Sequence, residues 1–420
     1  MNHVRRLASA VAAVVIALGA ILSGAPTSPP VARAAGPNAV TDWSLISQGA
    51  VIQGRPATSA IYLQAIVHVA IYDAVVAIEG GAKPFASSPH VARPASTSAA
   101  VAAAAHDVLI ARAGAQASQV EAAYTTYLAG ISDGAAKDNG LAVGHAAATA
   151  VLADRAADHF DAVVPWVQPP TGAGVFEPVA PTTPIDVKLG GVRPFVLNSA
   201  VQFRPGPPVA LTSAEYAADF AEVKALGRAT DSARTTKQTE SAMFWSENPM
   251  VQWNRTLREL AIARGLGNRD TARLLAMTNV ASADSLITCW AAKYSYLRWR
   301  PVHAIQRALT DGNPATSPDP AWQSLLVVNH PEYPSGHGCS SGAIVPAISE
   351  FFGTNLVPIT ISSTVTGTSR TYSNVRAISK DIFMARIYGG LHFRSTMAAG
   401  FNLGKHVSRY VLDSTFQAIP

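Results

Sequence analysis

Ala57-Thr-Ser-Ala-Ile-Tyr-Leu-Gln-Ala-Ile-Val-His-Val-Ala-Ile-Tyr-Asp73 repeats apolar residues at helical spacing, and the pattern runs on to residue 80. Residues 96–116, 117–131 and 136–159 do the same with Ala as the packing residue, so the first part of the chain reads as four or more packed helices. Ten prolines between Pro165 and Pro208 then forbid a long helix over residues 164–210, which reads as an extended connection. Thr212-Ser213 is an N-cap signal, and helices resume over 215–227, 231–247, 251–265 and 268–298. Another covers 337–352, and a last helical stretch runs from 376 to 415, interrupted at Gly389-Gly390. Val357 to Tyr372 is rich in Thr, Val and Ile with Gly367 at a turn, which predicts a small β-hairpin. The fold class is therefore all-α: packed helical bundles with one small β-hairpin.

Composition agrees. Of 420 residues, 49% are hydrophobic and only 14% charged, which excludes a disordered chain. Ala is the best helix former and a poor strand former, so an Ala-rich core favours close-packed helices. The organisation expected is a secretory signal over 1–34, a helical bundle over 35–163, the Pro-rich connection over 164–210 and a helical domain over 211–420.

The signal rests on Arg5-Arg6, an apolar run from Leu7 to Leu22 and an A-x-A site at Ala32-Arg33-Ala34. The run is shorter than the roughly 20 residues a membrane span needs, and no other stretch reads as an anchor. Secretion is the expected localisation. Three of the 32 Lys and Arg residues, Arg5, Arg6 and Arg33, lie in that segment, leaving 29 basic against 27 acidic. No basic stripe follows, so nucleic acid is not an expected partner.

Three blocks carry the chemistry. In Lys293-Tyr-Ser-Tyr-Leu-Arg-Trp-Arg300-Pro301, two helical turns separate Lys293 from Arg300. Both should face one way, roughly 10 Å apart, with Trp290 on the same face and the helix ending before Pro301. In Pro334-Ser335-Gly336-His337-Gly338, Ser335 can cap a helix whose free N–H groups would bind an oxyanion. Gly336 admits a close ligand, and His337 beside it can exchange a proton near neutral pH. In Arg386-Ile-Tyr-Gly389-Gly390-Leu-His392, the double Gly permits a bend that brings Arg386 and His392 together. Two Arg, one Lys, two His and an open helix N-terminus can converge on one tetrahedral anion.

K-x6-RP, P-S-G-H and R-x5-H in this order resemble the signature shared by vanadium-dependent haloperoxidases and type 2 phosphatidic-acid phosphatases, and most of all their secreted bacterial haloperoxidase-like branch. The resemblance takes in the contexts Trp290-Ala-Ala-Lys293 and His330-Pro-Glu-Tyr-Pro334 and covers roughly residues 210–410. It implies that Lys293, Arg300, Ser335, Gly336 and Arg386 hold the oxygens of vanadate or phosphate. His392 would bind vanadium or attack phosphorus, and His337 would be the acid–base residue. Vanadate is the implied cofactor, with hydrogen peroxide, a halide and a small organic substrate as partners. A phosphatase working through a phosphohistidine would need no cofactor.

The sequence departs from the pattern twice. Ala385 stands where the family has Ser, and Thr396 where it has an Asp that orients the essential His. A partner of a metal-bound His is worth about 10–100-fold, so a weakened oxyanion-binding homologue is a third reading, and Thr396→Asp is expected to raise activity. His330, beside the halide path, matches bromide-oxidising relatives better than chloride-oxidising ones. Cys289 lies one turn before Lys293 and Cys339 two residues after His337. If those neighbours share one anion the sulfurs meet, and a Cys289–Cys339 disulfide is expected. Asp73 and His106 are expected to be satisfied polar groups on apolar helix faces.

Overall fold

The computed structural model describes residues 36–179 and 183–419. The segment read as a secretory signal lies outside these residues. Helix α1 (Ala39–Val51) was not foreseen, yet its start is well specified. The Asn38 side chain accepts from the backbone of Val40 and Thr41, and Thr41 returns a bond to Asn38, forming a capping box. Polar residues such as Ser44, Ser47 and Gln48 point inward from α1 and blur its apolar stripe.

Helix α2 (Ala57–Glu79) is apolar all round because it is surrounded. It packs against α3 (Thr97–Arg112), α5 (Ala135–Asp154) and α9 (Asn268–Tyr296). Against the sequence expectation, α2 is long and apolar enough to cross a membrane, but 94% of that window is buried inside the protein. Ala lets the neighbours approach closely, and each fully buried Ile or Leu of α2 contributes roughly 1.5–3 kcal/mol. Helix α4 (Ala117–Ala129) lies on the outside, burying only Val120.

Among its described residues the Pro-rich connection holds no long helix, as expected, and it is pinned from below. Asp284 of α9 accepts from the amides of Phe195, Val196 and Leu197. Asp73 of α2 does the same for Phe85, Ala86 and Ser87, so it is the satisfied core group that was expected. His106 instead sits at the rim between Asp107 and Glu121.

Helices α6 (Ala214–Leu226), α7 (Thr236–Phe244) and α8 (Pro249–Ala263) precede α9; α10 (Pro301–Gln306), α11 (Gly336–Phe352), α12 (Val375–Tyr388) and α13 (Arg394–Ser414) follow it. Strands β1 (Ile359–Ser363) and β2 (Thr368–Tyr372) pair antiparallel in register Ile359↔Tyr372, with Gly367 in a left-handed turn, and form the expected hairpin. Residues Ala34–Pro420 group as one unit, and one apolar core runs from α1 and α2 through α9 into α11 and α13. A smaller core of Tyr216, Phe220, Trp299, Trp322, Phe393 and Met397 lies beside it.

Helices α11 and α13 meet backbone to backbone. A Cβ on Gly342 would lie 2.8 Å from the Phe401 carbonyl oxygen, and one on Gly400 2.7 Å from that of Ser335. Only Gly permits that approach.

Candidate oxyanion site

The first block does not run as one helix. Leu297 adopts a left-handed conformation and its N–H closes on the Lys293 carbonyl, so α9 ends at Tyr296. Arg300 is extended, and Pro301 opens α10 rather than only stopping α9. The expectation of two cations on one helix face is thus corrected. They meet instead by gripping the same loop. Lys293 Nζ donates to the carbonyls of Pro331 (2.6 Å) and Glu332 (3.1 Å). Arg300 Nε donates to the His330 carbonyl (2.7 Å), and its NH1 to that of Leu391 (2.9 Å).

That loop leads into α11. Ser335 is its N-cap, as expected, accepting from Gly338 N at 3.2 Å. The first amides of α11 therefore face inward at the positive end of the helix. A Cβ on Gly336 would lie 3.0 Å from the Trp290 ring and 3.9 Å from Lys293 Cε. The His337 ring hydrogen-bonds the Trp245 carbonyl, which also accepts from Arg386 NH1 at 3.0 Å. Arg386 lies in the last turn of α12. Among the described residues, His337 Nε2 and Arg386 Nε are buried and have no hydrogen-bond partner.

Helix α12 stops at the Gly389-Gly390 pair, where Gly390 takes a positive φ, and His392 lies in the short link before α13. Its Nδ1 lies 3.0 Å from Glu332 Oε1, and its Nε2 lies 3.4 Å from Arg300 NH1. With Nδ1–H donated to the carboxylate, Nε2 carries the lone pair and faces the cations. Glu332 Oε1 also accepts from Phe393 N (3.0 Å), and its Oε2 accepts from Thr396 Oγ1 (2.8 Å). Thr396 thus donates to an acid rather than contacting His392 as the family Asp would.

Burial dominates the electrostatics. It lowers the Lys293 ammonium to about 8, with Arg300 adding to the shift. It lowers the Arg386 guanidinium, again helped by Arg300. His337 and His392 are held well below the usual histidine range by burial and then by the nearby cations, so both rings are neutral. Burial raises the Glu332 carboxyl to about 6, against the pull of Arg300.

A cavity of about 390 Å³ opens onto Gly336, His337, Arg386, Trp290 and His330. Ile61, Leu286, Leu326, Val327 and Leu391 form its apolar wall. Lys293, Arg300 and His392 lie behind that lining, each with at most 2% of its surface exposed. His330 is not merely a loop residue: its ring lies 4.9 Å from that of Trp290, and its Nδ1 lies 2.7 Å from Arg300 NH2.

The expected disulfide is not formed; Cys289 and Cys339 are free, buried thiols. The sulfurs are neighbours, as a shared site requires. Each is satisfied as a thiol, Cys289 Sγ lying 3.7 Å from the Pro334 carbonyl while Cys339 hydrogen-bonds Cys289.

Reading the sequence block by block missed two members of the site, Glu332 and Trp245. Glu332 stood in the quoted run before Pro334, and its acid character among apolar neighbours was the available signal. Trp245 acts through its carbonyl, which leaves no trace in residue type.

The donor set suits a tetrahedral oxyanion. Lys293 and Arg300 act on one buried carboxylate, Glu332, Arg386 has no acid partner, and the buried nitrogens His337 Nε2 and Arg386 Nε lack hydrogen-bond partners. A buried excess of positive charge is costly unless an anion compensates it. A tetrahedral oxyanion such as vanadate or phosphate fits these residues, beside which His392 presents a neutral Nε2.

An all-helical protein with a buried oxyanion cradle between helix termini is the class that fold and site define. Residues 273–419 match the family described as VCPO second helical-bundle domain. A bacterial vanadium-dependent iodoperoxidase of known structure has the same fold, with a TM-score of 0.74 at 21% identity over 91% of this chain and 96% of that one. A holo-type bacterial vanadium-dependent chloroperoxidase gives 0.67 at 17% identity over 85% and 91%. The vanadium chloroperoxidase of Curvularia inaequalis is 24% identical over 227 residues, 44% of this chain and only 37% of that protein. The three blocks lie in order within the matched residues 273–419, so the match supports, over the site-bearing part of the chain, the resemblance to vanadium-dependent haloperoxidases and type 2 phosphatidic-acid phosphatases.

Proposed function

We propose that the protein is a secreted, vanadate-dependent haloperoxidase that oxidises a halide, bromide in preference to chloride, with hydrogen peroxide. The observation that carries this reading is the meeting of Lys293, Arg300, Arg386, His337 and His392, brought from five helix ends and links to and just behind the lining of one cavity. Bound vanadate supplies a Lewis-acidic centre that activates peroxide without changing oxidation state. Lys293, Arg300 and Arg386 would hold its oxygens, with Ser335 and the Gly336 amide closing the cradle. His392 Nε2 would provide the nitrogen ligand. His337 is neutral in the free site, and its unpartnered Nε2 can take a proton from incoming peroxide and return it later. His330 and Trp290 face the cavity through which halide arrives, and His330 supports bromide by its likeness to bromide-oxidising relatives. The apolar wall suits an organic acceptor. Secretion rests on the leader-like segment 1–34 and suits a reactive oxidant product.

One observation favours a second reading. The Glu332–His392 pair also makes Nε2 a competent nucleophile toward a phosphate ester, with His337 Nε2 taking the proton that a monoanionic ester brings and passing it to the leaving group. Purified protein stripped of oxyanions and assayed with and without vanadate separates the two. Peroxide-dependent bromination that appears only with vanadate is expected. Phosphate-ester hydrolysis abolished by vanadate, without bromination, would replace the first reading by the second. Oxyanion binding with neither activity would leave a binding protein.

A further inference from the structure

From the contacts around the His392 ring, we infer that Glu332 is the positioning residue for His392, filling from a separate loop the role that relatives give to an Asp four residues after the His. This rests on the oxyanion reading of the site, though not on which reaction the site performs. Glu332 is completely buried, and both carboxylate oxygens are used. Oε1 receives His392 Nδ1 and the Phe393 amide; Oε2 receives Thr396. The acid therefore fixes the ring, its tautomer and the start of α13 together. Thr396 is the complement of this arrangement. It lies 2.8 Å from Glu332 Oε2, so a carboxylate at position 396 would confront a like charge at hydrogen-bond distance. The Thr that read as a defect in the sequence is the residue that a Glu at 332 requires. The gain expected there from Thr396→Asp is accordingly withdrawn: with Glu332 present, that change brings no improvement.

The test uses the full chain, with three variants and two anions titrated by calorimetry. Removing a negative charge beside an anion site should, by Coulomb's law alone, tighten every anion. A positioning role predicts a split instead. Glu332→Gln should weaken vanadate, which His392 ligates, by about 10–100-fold, while phosphate binding stays the same or tightens. Adding Thr396→Asp to Glu332→Gln should recover most of the vanadate affinity, because a carboxylate again reaches the ring. Thr396→Asp alone should bind vanadate no better than the parent. The 15N spectrum of the His392 ring provides a readout without any ligand: Nδ1-protonated in the parent, altered in Glu332→Gln, and restored in the double variant. Vanadate affinity unchanged in Glu332→Gln, or no rescue in the double variant, overturns the inference. If the parent binds neither anion, the oxyanion reading fails, and an unmoved His392 spectrum in Glu332→Gln then overturns the pairing separately.

Discussion

Two buried clusters in this protein each join a histidine to an arginine, and only one has the makings of a site. In the first, His68 of α2 lies against Ser44 of α1 and Gln64, while Arg258 of α8 donates to Gln48 Oε1 at 2.9 Å. Burial, then Arg258, lowers His68 to about 3, so it is as neutral as His337. Here, however, one cation meets neutral amides and hydroxyls on the flanks of continuous helices, and none of these residues lines the cavity. In the second, three cations outnumber one carboxylate, and the groups come from helix ends and the links between them. Helix ends have free amides and flanks do not. A perturbed histidine is thus weak evidence of function; surplus charge, unpartnered donors and access from solvent distinguish the two.

The contrast has measurable consequences. The largest is expected for Arg386→Met, which should weaken vanadate binding by about a hundredfold or more. The same change removes a buried cation with no acid partner, so the melting temperature of the anion-free protein should hold or rise. A large loss of stability with intact binding would make Arg386 an ordinary core arginine like Arg258.

A smaller effect follows from pH. Lys293 titrates at about 8 because of burial. An anion binds the protonated ammonium better, so affinity is full below that pH and falls as the proton leaves. Sulfate, whose charge is constant over this range, should bind with flat affinity between about pH 7, above the ionisation of Glu332, and pH 8, and lose up to about tenfold per unit above it. In Lys293→Met the profile should be weaker and flat. A parent profile that stays flat to pH 10 would mean that Lys293 does not face the anion.

The smallest effect belongs to the other cluster. Arg258→Met should leave vanadate and sulfate affinity within about twofold and cost about 1–2 kcal/mol of stability, because Gln48 Oε1 loses its donor. Calorimetry and denaturant melts on the same sample decide this.

What the sequence disclosed divides along the same line. Long helices were legible from periodicity and caps, as with Ser213 ahead of α6 and the hairpin turn at Gly367. The three blocks were legible because each is contiguous. Geometry that depends on one residue's backbone was not: nothing in Leu297 announces the left-handed turn that takes Arg300 off α9. Contacts between distant segments were not legible either. Glu332 and His392 are 60 residues apart, and reading Thr396 alone against a pattern suggested a loss where the fold had supplied the acid from elsewhere. Cys289 and Cys339 were placed together correctly in space, but proximity left their bonding undecided.

The glycine contact between α11 and α13 acts as a ruler. One helix begins at the anion cradle, and the other begins just after His392. Where main chain rests on main chain, their spacing is calibrated by atoms that every residue shares. Side chains in the surrounding bundles can then turn over freely while the two ends stay at a constant span. Relatives that agree with this chain at only about one position in five can keep the same fold on such terms. Bulk introduced at Gly342 or Gly400 would reset that span directly.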